Sequence, residues 1–92
     1  MIPIVFKNFL AFKAILGNDL PAGNWYTITQ EMITDFANAT LDTQWIHIDA
    51  TRAAKESPFK STIAHGFMSV SMISKLLEEV FTIKSLKMGL NY

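Results

Sequence analysis

The chain has 92 residues, half of them apolar, 12% aromatic and 17% charged; that is one small domain with too much apolar surface to stay disordered. Eight basic residues balance eight acidic ones, so no charge excess marks a nucleic-acid or anionic-membrane partner. The absence of cysteine excludes a disulfide framework, a thiol nucleophile and thiolate metal sites, and two histidines, His47 and His65, are too few for an all-imidazole zinc site. The apolar N-terminus has neither a basic lead segment nor a small-residue cleavage site, so no signal peptide is expected. The uncharged run 61–74 is shorter than the roughly 20 residues of a membrane-crossing helix. The chain therefore reads as soluble and cytoplasmic, with no nucleic-acid and no membrane partner.

No internal repeat, low-complexity tract or flexible linker interrupts the sequence. Residues 6–16 carry apolar side chains at spacings of three and four, which predicts an amphipathic helix stopped by Gly17. Residues 18–24, with Pro21 and Gly23, predict a loop. Residues 25–29 are β-branched and aromatic and predict a short strand. Thr29 can cap a second helix, with Glu31 favourably placed for its dipole and Met32, Ile33, Phe36, Ala37 and Thr40 on one face. Residues 41–48 read as irregular. Asp49 can cap a short helix through Lys55, which Ser57-Pro58 ends.

The longest predicted element starts after Ser61-Thr62 and runs to about Phe81. Ile63, Phe67, Val70, Ser74, Leu77 and Phe81 make one stripe, and Met68, Met72, Ile73, Leu76 and Val80 widen it almost all the way round. Such a helix is expected to be buried. Residues 86–92 look like the start of a strand. A helix of about 19 residues spans roughly 28 Å, and the remaining elements offer little to cover it. Either the chain associates through this helix or it is the front part of a longer protein; ending in mid-element favours the second.

Polar residues of interest fall in two stretches, residues 40–49 and residues 63–68. Asp42 and His47 are five apart; on a continuous helix they would point about 140° apart, but in a loop they can converge. A carboxylate beside an imidazole is a common acid–base pair. Gly66 sits in a first helical turn, where N–H groups lack internal partners, and its N–H could polarise a substrate carbonyl. Bland readings stand beside these. Asp42 could end the second helix and bond its own loop. His47 could be a half-buried ring between two isoleucines, and His65-Gly66 a helix entry. Trp45 and the helix methionines read as core, Ser69, Ser71 and Ser74 as aids to close packing, and Asp49 and Arg52 as a cap and a solvated pair.

The string Asp42-Thr-Gln-Trp-Ile-His47, followed by Ile63-Ala-His-Gly66 and a long apolar helix, resembles the MaoC-like dehydratases, which include the (R)-specific enoyl-CoA hydratases. Gln44-Trp45-Ile46-His47 is most similar to the branch named after nodulation protein N. The wider family usually shows Gly-Asp-x-Asn-Pro-aliphatic-His; Asp42, Ile46 and His47 match it, while Leu41 replaces the Gly, a departure that could change the local backbone.

The resemblance covers about residues 9–92 and implies an α+β hot-dog fold, a long central helix wrapped by an antiparallel sheet. Relatives place several more strands after that helix, so the chain is expected to be the truncated N-terminal part of one hot-dog domain, with most strands absent. The resemblance further implies catalytic roles for Asp42 and His47, which would deliver water to a trans-2-enoyl thioester, and binding of the thioester oxygen by the Gly66 N–H. Gln44 and His65 would be site neighbours. The implied substrates are acyl-CoA or acyl-carrier-protein thioesters of fatty acid metabolism, with no metal and no other cofactor, in a homodimer or larger assembly. Two alternatives stay open: an acyl-CoA thioesterase, and a non-catalytic fragment or oligomerising module.

Overall fold

A computed structural model describes residues 2–89. The elements are β1 (Ile4–Phe6), α1 (Phe9–Lys13), α2 (Gln30–Thr40), α3 (Trp45–Ile48), α4 (Ala50–Glu56), α5 (Gly66–Ser71), α6 (Ile73–Val80) and β2 (Phe81–Ile83). The architecture is α+β. The residues fall into two compact units, one from the described parts of Met1–Trp25 and Met72–Tyr92, the other from Tyr26–Ser71. No described helix is long and apolar enough to cross a membrane.

In the first unit β1 pairs with β2 in parallel, Ile4 opposite Phe81 and Phe6 opposite Ile83, and Lys84 N–H extends the ladder to the Phe6 carbonyl at 2.9 Å. The expected sheet was antiparallel; strands so far apart in sequence, with helices between them, have the crossover connection that parallel pairing requires. Asn8 caps α1 by accepting from the Ala11 N–H at 2.9 Å. The predicted helix over 6–16 is therefore shorter: Phe6 belongs to β1, and the chain leaves the helix through turns to Gly17, whose φ of +87° suits glycine. Phe12 stacks on Phe81 with centroids 4.7 Å apart, and Phe6 meets Phe12 edge-on at 5.2 Å. These aromatic contacts hold the small sheet against α1. Residues 18–24 form the expected loop. Residues 86–89 form no strand, and the rest of that expectation, Leu90, Asn91 and Tyr92, lies outside the described residues; β2 forms a few residues earlier.

In the second unit α2 forms as expected. Thr29 Oγ1 accepts from the Met32 N–H at 3.2 Å, and the inward face buries Ile33 and Ala37. Asp49 caps α4 through the Arg52 N–H at 3.0 Å, and Ser57, extended before Pro58, ends it. Ile33, Ala37, Ala53 and Met68 are the buried apolar residues, with Ser57 and His65 buried beside them. Two expectations fail here. Residues 25–29 form no strand; β-propensity expresses packing against neighbours, and Trp25 is fully exposed. Residues 41–48 are not wholly irregular, because Trp45–Ile48 closes one helical turn.

The single long helix expected after Ser61-Thr62 and running to about Phe81 is also corrected. Helical structure starts only at Gly66 and is interrupted at Met72. Ahead of Gly66, Ile63 donates its N–H to the Ile46 carbonyl at 3.1 Å and accepts from His47 Nδ1 at 2.8 Å, bonds that tie this stretch to α3 instead of to a helical turn. Near the interruption, Ser71 Oγ donates back to the Phe67 carbonyl at 2.7 Å, a bond that competes with the helical ladder. Nor are the two helices buried on most sides: Phe67 is 81% and Val70 60% exposed, and Ile73 and Leu77 are exposed too. Ser69, Ser71 and Ser74 are exposed rather than closely packed.

Candidate functional site

The second unit brings Asp42, His47 and His65 together. A carboxylate oxygen of Asp42 and one ring nitrogen from each histidine lie within 4.8 Å of one another. The local chain explains why. Leu41 ends α2 in the left-handed region, φ 66°, and turns the backbone so that Asp42 leaves the helix at once. This is the conformation that favours glycine, so the Gly-to-Leu departure falls where glycine is least strained. Leu41 itself is 85% exposed.

His47 lies on α3, whose single turn is too short to persist alone. It is clipped from two sides. The Ile46 carbonyl accepts from Ile63 N–H, and the His47 carbonyl accepts from Gln30 Nε2 at 2.8 Å. Gln30 Oε1 in turn accepts from the Thr62 hydroxyl at 2.6 Å. Nδ1 of His47 lies 2.8 Å from the Ile63 carbonyl; a carbonyl only accepts, so Nδ1 carries the hydrogen and donates. In the neutral ring Nε2 then holds the lone pair.

His65 is 3% exposed. Its Nε2–H donates to the Asp42 carbonyl at 2.9 Å, and its Nε2 lies 4.0 Å from Asp42 Oδ2. Its ring stacks on His47 with centroids 3.7 Å apart and planes 22° from parallel. That stacking bears on metal binding. Imidazole ligates through an in-plane lone pair at about 2 Å. The two stacked rings direct their in-plane lone pairs along separate planes, so both would bind one ion only after reorienting.

Gly66 opens α5, is exposed, and a Cβ placed on it would meet nothing within 4 Å. Gln44 is exposed and precedes α3; its carbonyl accepts from His47 N–H at 3.0 Å, while its side chain makes no cap bond. Trp45 carries the Arg52 guanidinium 4.4 Å from its ring centroid, and Arg52 is also ion-paired with Glu56. Sequence reasoning missed Gln30, Thr62 and the Ile63 carbonyl as supports. Their partners are 16 to 32 residues away in sequence, and no local pattern announces such bonds.

The sequence profile of the MaoC like domain matches residues 11–91. The 3-hydroxyacyl-thioester dehydratase Z of Mycobacterium tuberculosis (strain ATCC 25618 / H37Rv) is 42% identical over 87 residues, covering 95% of this chain and 57% of the relative. Nodulation protein N of Rhizobium meliloti (strain 1021) is 42% identical over 81 residues, 87% of this chain and 50% of the relative. Nodulation protein N of Rhizobium leguminosarum bv. viciae is 45% identical over 78 residues, 84% and 48% respectively. The chain thus spans about half the length of the curated relatives it matches. With a profile match across most of its length and these relatives, the chain belongs to the MaoC like domain family.

Proposed function

We propose that this chain carries the acid–base pair of an acyl-thioester hydratase/dehydratase. The reaction adds water across the double bond of a trans-2-enoyl thioester to give a (3R)-hydroxyacyl thioester, or runs in reverse. The observation that carries the reading is the commitment of His47 Nδ1–H to the Ile63 carbonyl, which leaves a basic Nε2 on a ring clustered with the Asp42 carboxylate. Asp42 and His47 hold the water between them. Its oxygen bonds to C3, its proton passes to one of the pair, and C2 receives a proton. The Gly66 N–H takes the thioester oxygen, on which negative charge develops. No metal or redox group enters these steps. A relative named for 3-hydroxyacyl-thioester dehydration supports the substrate class. The hot-dog fold and a homodimer accompany this reading.

The test is hydration of crotonyl-CoA, followed as loss of the enoyl absorbance. Asp42→Asn keeps the backbone carbonyl that His65 uses and removes the carboxylate. One acid–base group contributes about 10²–10⁴-fold, so the variant should lose at least 10²-fold in rate. Parent activity in Asp42→Asn would remove Asp42 from the reaction, and release of coenzyme A thiol without hydration would point to a thioesterase.

A further inference from the structure

His65 is an expensive choice for a filler. Its Nδ1 is buried and has no hydrogen-bond partner among the described residues, and an unsatisfied buried nitrogen destabilises the fold. A phenyl ring would fill the same space against Phe36, whose centroid is 4.9 Å away, without that penalty. What the imidazole adds is specific. Its Nε2–H grips the Asp42 peptide at 2.9 Å, and its ring covers the His47 ring at 3.7 Å. His47 has one in-plane tether, from Nδ1 to the Ile63 carbonyl, about which a ring can still pivot. A stacked neighbour restrains that pivot.

We infer that His65 is a positioning residue, holding the Asp42 peptide through Nε2–H and the plane of the His47 ring by stacking. The inference rests on the reading of Asp42 and His47 as the water-binding pair. Misplacing such a pair by about 1 Å can reduce rate on the order of 10²-fold, so the supporting ring matters without touching substrate.

Two variants separate its two contacts. His65→Phe keeps a ring on His47 and removes the donor to Asp42. His65→Gln keeps a donor near the Nε2 position and removes the ring. Each is made in the 92-residue chain and read by nitrogen-15 and carbon-13 NMR and by crotonyl-CoA hydration. In the parent, His47 should show one tautomer, with hydrogen on Nδ1. His65→Phe should shift the Asp42 carbonyl and loosen the amides around it while His47 keeps its tautomer. His65→Gln should raise the mobility of the His47 ring, read by carbon-13 relaxation, and leave its tautomer and the Asp42 carbonyl close to the parent. Both should lower kcat on the order of 10²-fold with KM within about twofold, the pattern of an interaction needed in the transition state. A purely structural His65 would lower the melting temperature and leave the mobility of the His47 ring in His65→Gln, and kcat in both folded variants, at parent values; that result overturns the inference. If the parent chain hydrates nothing, the hydratase reading fails, and the NMR comparison still decides whether His65 positions the pair.

Discussion

Asp42, His47 and His65 owe their meeting to single bonds made by neighbours. The α2 terminus shows how one residue sets the geometry. Leu41 has φ 66° and is 85% exposed, so its side chain contributes little packing while its backbone occupies a region that costs a non-glycine residue about 1–2 kcal/mol. Glycine relieves that strain but orders more backbone on folding, which returns roughly 0.5–1 kcal/mol. Leu41→Gly should therefore stabilise the chain by about 0.5–1 kcal/mol, seen as a higher urea midpoint at unchanged slope. A lower midpoint would show that Leu41 packs in solution. Asp42 and His47 were nameable from the sequence as a convergent pair; the tautomer of His47 was not, since it depends on the Ile63 carbonyl, 16 residues away.

Among the elements, the two predicted caps and one stop formed where their residues said they would: Thr29 caps α2, Asp49 caps α4 and Ser57-Pro58 stops α4. Elements that depend on distant partners were misread. α3 exists because Ile63 and Gln30 hold it, and β1 because β2 lies beside it. Gln30 is the sharpest test. It joins α2, α3 and residue 62 through two bonds of 2.8 and 2.6 Å, each worth a net of about 0.5–1.5 kcal/mol. Gln30→Ala should cost about 1–2 kcal/mol in urea unfolding and speed amide exchange in Trp45–Ile48 more than in α4. Equal protection of both helices in the variant would show that α3 does not need this clip.

Among the described residues only Ile33, Ala37, Ala53 and Met68 are buried apolar ones, while Phe67, Val70, Ile73 and Leu77 are among the exposed ones. Apolar surface left in water is a driving force for association. The chain should therefore sediment with a mass that rises above the 10.4 kDa monomer as concentration increases, and Phe67→Ser should weaken that rise. A strict monomer at high concentration would count against the homodimer. The sequence by itself determined the composition class, the caps and stops, the inward face of α2, and the Asp42–His47 and His65–Gly66 motifs that place the chain in its family. These are local or pattern properties, written in residues a few positions apart. Only the tertiary structure decided the parallel pairing of β1 with β2, the late start of α5, the stacking of His65 on His47, and the hydrogen bond that places the hydrogen of a neutral His47 ring on Nδ1. Each of these depends on groups far apart in sequence, whose meeting is set by packing and by the need to satisfy backbone donors and acceptors.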